Sequence, residues 1–342
     1  GDMQAAATHV VAEAGKRGEG KDAVVWRLEQ GAVLRAAGRL VESNHAFDLA
    51  EEKINEHEEA AKVSVSREAL ATVTNLKNLP YEGFAYDKIM MNTYKALNYM
   101  ELGELEKARV ELNRAYERQK DAIYFNSKRI EKALEEGKKQ NYNVNLDSVN
   151  NNSRFQGQFD KYYADLDQLR AYSDYVNPAS VYLDGLFSMA QATGGSDLER
   201  SRNSFERVRT MVGENKFIQQ DLETLKRIIN GQPIPATTYV FFETGEAPER
   251  EEIRIDLPLF LIIPGVPYVG AAFPALRYRG NYLSTLNVSH SGTTESTELL
   301  ASIDAVVARE FKNELPTLIT KTLIASAIKA GATYGAYSGV TN

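Results

Sequence analysis

The chain has 342 residues, of which 43% are hydrophobic and 25% are charged, values that are typical of a globular protein with room for two domains. Its net charge is -7, and lysine and arginine are spread widely, which argues against a nucleic-acid partner. The chain has no cysteine, so thiol nucleophiles are excluded. No apolar run reaches the length of about 18 residues that predicts a membrane span.

The first residues are interpreted as the product of processing. Gly1 precedes Asp2 and Met3 in the manner of a cleavage scar, and no signal peptide follows it. We expect that a signal segment has been cut away before this point. Residues 1–21 are predicted to form a flexible N-terminal segment.

A glycine and lysine pattern in this segment resembles a phosphate-binding loop. Gly15 and the pair Gly20-Lys21 have the required spacing, but Asp22 stands where the loop needs Ser or Thr to hold magnesium. No strand precedes the pattern, although the motif needs one. We therefore interpret this stretch as a flexible link in which Asp22 caps the next helix.

One spacing of small and aromatic residues occurs three times, and it is the spacing of a tetratricopeptide repeat, in which a tight turn joins two antiparallel helices. The clearest copy is Ala96, Tyr99, Gly103, Ala108, Leu112 and Ala115, within Asn92–Ala115. The second copy is Gly31, Leu34, Gly38, Ser43, Phe47 and Ala50. The third and weaker copy is Met189, Ala192, Ser196, Ser201, Phe205 and Val208.

The small residues have a physical role in such a unit. Ala96 and Ala108 allow two helices to cross closely, and Gly103 allows the turn. One unit cannot bury its apolar face alone, so several must stack. Gly38 and Gly103 lie much farther apart than the usual period of about 34 residues. The sequence therefore predicts an irregular helical repeat array over residues 22–232.

A helix is predicted near Ser66–Leu79, and Pro80 ends it.

Two long helices are predicted farther along the array. The first is the second helix of the central repeat, which continues to about residue 136. A polar loop, Asn141–Ser153, then precedes a second long apolar periodicity. These features predict an antiparallel helical hairpin over about 104–176 that projects from the array, and we expect its tip to contact a partner.

After residue 232 the pattern changes. Glycine and proline in 231–235 mark a boundary, and short β-branched and aromatic runs then predict a small antiparallel sheet. The runs are Thr237–Glu243, Glu252–Leu257, Leu259–Ile263, Ala275–Tyr278 and Leu283–Ser289. Helical periodicity returns from Leu299, and Pro316 is expected to separate two helices in the tail.

The predicted fold is therefore mainly α. An irregular tetratricopeptide-like helical repeat array is followed by a small α+β domain, residues 233–342, that contains the antiparallel sheet. Residues 22–230 should be almost wholly helical, and strands should be confined to about 237–290.

The sequence contains no motif that predicts catalysis. Its histidines are His9, His45, His57 and His290, and none lies in the H-E-x-x-H pattern of zinc proteases. The G-x-S-x-G motif of serine hydrolases is also missing. A pair of carboxylates brought together by the fold would be invisible at this level. We predict no catalytic residue, no metal site and no cofactor, and we expect that the protein is not an enzyme.

The repeat register places particular side chains in the groove that the first helix of each repeat lines. In the first repeat these are Val25, Leu28, Ala32 and Arg35, and in the second they are Met90, Thr93, Leu97 and Met100. The candidate binding residues among them are Leu28, Arg35, Met90, Thr93, Leu97 and Met100. This lining is largely apolar, which favours an internal segment that fills the groove or a hydrophobic partner segment. The alternative is that these residues are simply core.

Several segments carry a resemblance to a known family. They are LPYEG at Leu79–Gly83, the repeat Asn92–Ala115, the pair Asn177-Pro178, and YVFFETGEAPEREEIRIDLP at Tyr239–Pro258. In this combination most of residues 22–330 resembles a family of uncharacterised bacterial tetratricopeptide-repeat proteins that are often predicted envelope lipoproteins. The resemblance implies an exported protein in the periplasm or outer membrane, anchored by a lipidated cysteine just before residue 2. It implies no biochemical activity.

Two classes of function follow. The favoured one is a non-enzymatic scaffold of the bacterial cell envelope that binds a protein or peptide and contacts the membrane only through its lipid anchor. The alternative is an envelope hydrolase or a carbohydrate-binding protein that uses a cleft between the two domains. An open cleft with convergent carboxylates would favour the alternative, and a groove filled by the chain itself would favour the scaffold.

Overall fold

The computed structural model describes residues 2–63, 80–139, 141–168, 172 and 175–340. Within these ranges the chain forms twelve α-helices and four β-strands, and the strands lie between residues 249 and 296. The predicted mainly α fold, a helical array followed by a small α+β part, is confirmed. The predicted helix near Ser66–Leu79 lies outside the described residues.

The helices and strands have the following bounds. The helices before the strands are α1 (Met3–Arg17), α2 (Ala23–Ala36), α3 (Leu40–Val63), α4 (Ala85–Glu101), α5 (Leu105–Lys139), α6 (Leu146–Asn150), α7 (Ser153–Tyr163), α8 (Asp165–Gln168), α9 (Pro178–Ala190), α10 (Gly195–Val212) and α11 (Lys216–Ile229). The remaining elements are β1 (Glu249–Pro258), β2 (Tyr268–Arg277), β3 (Asn287–His290), β4 (Thr293–Ser296) and α12 (Ile303–Val340).

The two clearest repeats are helix–turn–helix units, α2–α3 and α4–α5. The glycine in each turn has a positive φ, 75° at Gly38 and 76° at Gly103, a conformation that residues with a Cβ rarely adopt. The N–H of the residue after each glycine donates to the carbonyl five residues before it, at 2.9 Å in the first unit and 2.8 Å in the second. These bonds close the end of the first helix, and they confirm the predicted turns.

The third unit, α9–α10, has a different register from the predicted one. Ser43 Oγ donates to the carbonyl of Gly31 at 2.7 Å in the first unit, and Ser201 Oγ donates to the carbonyl of Gly185 at 2.8 Å in the third. In both units a Cβ on the glycine would clash with the phenylalanine ring that follows the serine by one helical turn. Gly185, and not Met189, therefore takes the crossing position, and the connection in this unit is longer.

Residues 3–17 form α1 in place of the expected flexible segment. This helix buries Ala7, Val10 and Ala14, which lie on one helical face, and it packs against α2. The Asp2 side chain accepts two N–H groups of the first turn, at 3.0 and 3.1 Å. Asp22 makes no capping hydrogen bond through its side chain, so that expectation was wrong.

A buried charge cluster joins α3, α4 and α5. Lys95 on α4 is only 1% exposed. Its Nζ lies 2.8 to 3.1 Å from three carboxylates, those of Asp48, Glu51 and Glu111. Burial alone would raise the pKa of Glu51, but the charges of Lys95 and Arg118 lower it to about 2. Paired charges, as well as apolar contacts, therefore hold the second repeat on the first.

The predicted projecting hairpin is wrong. Helix α5 extends to Lys139 as expected, but it packs along α12, while α7 packs on β1. A Cβ on Gly137, close to the end of α5, would lie 2.8 Å from the Ile324 side chain of α12. Phe155, which was expected near an exposed tip, is buried. The apolar residues after α5 find a larger apolar surface on the strands and α12 than α5 alone would offer.

The strands form two separate antiparallel hairpins, β1–β2 and β3–β4, in place of one small sheet. In the first hairpin Ile255 lies opposite Ala271. The predicted alternation along β1 is confirmed, because Ile255 and Leu257 are buried and Ile253 packs against the same core.

Two predicted strands are wrong. Thr237–Glu243 has no strand assignment, and its side chains contact helices instead of another strand. Leu259–Ile263 begins with a 3-10 helix, Leu259–Leu261, which follows Pro258. In both cases the aromatic and β-branched composition indicated a strand, but packing against neighbouring residues decided the backbone conformation.

Helix α12 continues through Pro316, where the sequence predicted a break. A proline inside a helix removes one backbone hydrogen bond and crowds the carbonyl four residues before it. Phe311, Leu315 and Ile319 lie on both sides of this proline, and all three are buried in one core. Burial of these side chains offsets the cost of the interrupted hydrogen-bond ladder.

The largest apolar core combines residues from both parts of the chain. Val149 and Phe155, which precede residue 232 in sequence, pack with Ile255, Phe273 and Phe311. The change of sequence pattern near residue 232 is therefore not a boundary in packing, since α6 and α7 belong to the same core as the strands and α12.

We predict that Gly31→Ala destabilises the protein by about 1–3 kcal/mol, because the new Cβ would lie 2.4 Å from the buried ring of Phe47. The matched control is Gly157→Ala in α7, where nothing lies within 4 Å of the new Cβ. That variant should gain about 0.5–1 kcal/mol from its higher helix propensity. Urea unfolding measures both, and equal changes in the two variants would contradict the crossing at Gly31.

Candidate functional site

An extended segment crosses the inner face of the array, the side formed by the first helices α2, α4 and α9. We call this segment, residues 233–248, the strap. It begins after Gly231, whose φ of 84° turns the chain away from α11, and it ends at Glu249, the first residue of β1. The strap contacts α11, then α9, then α4, so it runs back along the array towards the first repeats.

Three side-chain contacts hold the strap on these helices. They are the hydrogen bond from Tyr239 OH to Asp221 Oδ1 at 2.7 Å, the edge-to-face contact of Phe241 with Tyr182 at 6.1 Å between ring centroids, and the hydrogen bond from Tyr94 OH to Glu243 Oε2 at 3.2 Å. The three strap residues are two positions apart, and alternate side chains of an extended chain share one side. These three contact residues therefore lie on one side of the strap, while Phe242, between two of them, is more buried than any of the three.

The strap is only partly buried. Tyr239 is 37% exposed and Phe241 is 44% exposed, although both contact the helices. Val240, between them, is 46% exposed. Aromatic side chains in a core are normally buried far more completely. The strap therefore covers the inner face without becoming part of the core, and such segments open at low free-energy cost.

Asp221 on α11 is the polar centre of the site. It is 5% exposed, and it accepts hydrogen bonds from the hydroxyls of Tyr182 and Tyr239. Burial raises the pKa of Asp221, while these two donors act to lower it by stabilising the carboxylate. Burial also raises the pKa of both tyrosines, so both hydroxyls keep their protons and remain donors.

The six predicted groove residues lie at the seams between successive first helices. Arg35 of α2 reaches α4, where it donates to Asn98 Oδ1 at 2.5 Å and pairs with Glu101 at 3.0 Å. Thr93 of α4 donates to Ser180 Oγ of α9 at 2.9 Å. These two residues hold neighbouring repeats together across the array.

The other four predicted residues are partly buried in the same region. Met90 Sδ accepts a hydrogen bond from the Asn177 side chain at 2.9 Å. Leu28 packs with the core of the first repeat, and Leu97 and Met100 pack with the core between the second and third repeats. Their role in binding a partner stays a prediction.

The strap contacts involve two residues that the sequence did not single out, namely Tyr94 and Asp221. Tyr94 follows Thr93 directly, on the same half of α4, so the repeat register contained its signal. The strap itself was assigned to a strand because its aromatic run has high β propensity. The remaining signal was the two-residue spacing of Tyr239, Phe241 and Glu243, because residues two positions apart in an extended chain lie on the same side.

Carboxylates converge where the array meets α12 and β1. Asp87, Glu310 and Glu314 share this junction with one guanidinium, that of Arg250, which donates to Glu314 at 3.0 Å. The carbon of that guanidinium lies 3.8 Å from the centre of the Phe84 ring. An acidic cluster between the two parts of the chain was one condition for the hydrolase alternative.

Both side-chain oxygens of Glu310 already accept hydrogen bonds from the backbone. Glu310 is 4% exposed, and its two oxygens accept the N–H groups of Ala85 and Tyr86 at 2.7 and 2.9 Å. These are orphan donors of the first turn of α4, so Glu310 caps this helix from a distant part of the sequence. Asp87 likewise accepts the N–H of Phe84 at 2.9 Å. This arrangement serves packing and does not favour the hydrolase alternative.

Burial and the charge of Glu314 raise the pKa of Glu310 to about 8. The two backbone N–H groups act in the opposite direction, because they stabilise the charged form. The junction therefore contains a carboxyl group that titrates near neutral pH in the folded protein.

No helix among the described residues combines the length and the apolar character needed to cross a membrane. Within the same ranges, no group of three or more histidine, aspartate and glutamate side chains is arranged to hold a metal ion. Comparison of the chain with protein-family models, with curated proteins and with solved structures found no match.

We predict that the stability of the protein falls as pH rises between about 4.5 and 8, because unfolding lets Glu310 lose the proton that the folded state retains. The contribution of this group is fully present below its unfolded pKa and is lost as pH rises through the folded value of about 8. For one proton the slope reaches about 1.4 kcal/mol per pH unit. Urea unfolding at a series of pH values measures it.

Comparison with Glu310→Gln, which has no titrating carboxyl group, shows whether Glu310 causes the change of stability with pH. Relative to wild type, this variant should become progressively more stable across the same pH interval. Glu223→Gln, at an exposed position on α11, is the matched control and should follow the wild-type curve. A Glu310→Gln curve parallel to wild type would show that Glu310 is ionised throughout the interval.

Proposed function

We propose that this protein is a non-enzymatic protein-binding and assembly scaffold of the bacterial cell envelope, and that the inner face of its array is the binding surface. The observation that carries the proposal is the strap, an extended segment of the same chain that already lies across α11, α9 and α4. Stacked helical repeats form extended concave surfaces of this kind, which suit elongated partners.

The envelope location rests on the resemblance of the LPYEG, central repeat and Tyr239–Pro258 segments to envelope lipoproteins. The lack of cysteine is compatible with this location, because the apolar cores supply stability without disulfides in an oxidising compartment. A protein or peptide segment is the proposed partner.

A photo-crosslinking residue on the inner face tests the proposal. Glu29 is exposed on α2 and lies one turn after Val25 on the same helical face. A crosslinker at Glu29 in the full chain should give a discrete protein adduct in bacterial envelope extracts. The control position is Tyr124 on α5, a second helix, where the side chain is also exposed. The adduct from Glu29 should be absent there.

The adduct is then identified and the partner purified, so that binding can be measured directly by calorimetry. Glu29→Trp should weaken binding about tenfold, which corresponds to about 1.4 kcal/mol, because the bulky side chain would obstruct the inner face. Glu135→Trp, at an exposed position on α5, should leave binding unchanged. Equal effects of the two substitutions, or adducts of equal yield from both crosslinker positions, would contradict the inner face as the binding surface.

A further inference from the structure

We infer that the inner face binds extended peptide segments that carry a tyrosine, a second aromatic residue two positions later and a carboxylate two positions after that. The inference rests on the proposed function and names the chemistry of the partner. The strap has this pattern at Tyr239, Phe241 and Glu243, and each of the three residues meets a different helix.

Each position of the pattern has its own recognition group on the array. Asp221 accepts the hydroxyl of Tyr239, so phenylalanine at this position would leave a buried carboxylate with one donor fewer. The edge of one ring meets the face of the other between Phe241 and Tyr182, an arrangement that specifies an aromatic side chain.

The third position is recognised by a single donor. Tyr94 OH donates to the Glu243 carboxylate at 3.2 Å, and the Tyr94 ring is held in turn by Phe47 and by the guanidinium of Arg35. The carbon of that guanidinium lies 5.6 Å from the ring centre.

The strap is suited to be exchanged for such a partner. Its facing aromatic residues are exposed by about two fifths of their surface, so a competing segment can displace them without opening a core. Both ends of the strap continue into ordered elements, α11 and β1, so it acts as a tethered competitor. A tether of this kind gives an effective concentration on the order of millimolar. A partner must overcome this competition.

A labelled peptide with the sequence of residues 235–246 tests the inference by fluorescence anisotropy with the full chain. The strap-release variant carries Tyr239→Ala, Phe241→Ala and Glu243→Ala. We expect the peptide to bind this variant at least tenfold more tightly than wild type, because the intramolecular competitor has been removed. Phe241→Ala alone is the second variant, for use if the triple variant fails to fold. It should give a smaller increase in peptide affinity.

Substitutions in the peptide test whether binding depends on the positions of these residues or only on the amino-acid composition of the peptide. Replacing the tyrosine that corresponds to Tyr239 by phenylalanine should weaken binding several-fold, and this loss should disappear in Asp221→Ala, which has no side-chain acceptor. Replacing the valine that corresponds to Val240 by serine should have no effect, since Val240 takes part in none of the three contacts. Binding no tighter than that of a scrambled peptide would overturn the inference.

Three further outcomes are distinguishable. If wild type forms a concentration-dependent dimer in light scattering that the strap-release variant does not form, and the peptide does not bind, the face takes the strap of a second copy, and the inference is overturned. If the peptide fails while the Glu29 crosslink and its partner persist, the proposed function survives and the peptide pattern is wrong. If both fail, the inner face is not a binding surface.

Discussion

Two hydrogen bonds from the first turn of α4 to Glu310 join the C-terminal helix α12 to the helical array. A buried carboxyl group is costly unless its oxygens find donors, and the donors here are two backbone N–H groups that the helix leaves unpaired. This contact places α12 against the start of α4. Arg250 of β1 then pairs with Glu314 of α12, so the first strand is placed as well. The C-terminal elements therefore have a fixed position relative to the array.

The strap follows from this arrangement. Its start is set by the end of α11, and its end is set by β1, so it must cross the inner face between these points. The Arg35 contacts between α2 and α4 and the Thr93 contact between α4 and α9 hold the first helices side by side, which creates the face that the strap crosses. The helix residues Tyr182 and Asp221 are buried, whereas the strap residues Tyr239 and Phe241 that contact them stay well exposed. This difference in local stability makes exchange of the strap physically reasonable.

The sequence predicted the features that depend on local chemistry. The turns at Gly38 and Gly103, the helix pairs around them and the alternation of Ile255 and Leu257 follow from glycine conformation and from periodicity. It failed where distant residues compete. The shift to Gly185 depends on which glycine meets a phenylalanine of the next helix, and the packing of α7 depends on strands far along the chain.

The candidate site was predicted in part. The repeat register identified α4, one of the three helices that the strap contacts, and the apolar character of the predicted lining suggested a segment that fills the groove. The residues that hold the strap could not be derived, because their partners lie far along the chain. The hydrogen bond from Tyr239 to Asp221 depends on Gly231, because this residue turns the chain at the end of α11. The cap on α4 from Glu310 is of the same kind, since no local pattern connects the two segments.

The central claim is that the strap occupies the inner face reversibly. Because the chain has no cysteine, two introduced cysteines, at Val240 and Glu29, would be the only sites for spin labels. Pulsed electron paramagnetic resonance then measures the distance from the strap to α2. The account predicts one narrow distance distribution for the free protein, and a longer, broader one once the unlabelled 235–246 peptide is bound. A distribution that stays unchanged when the peptide is bound would contradict it.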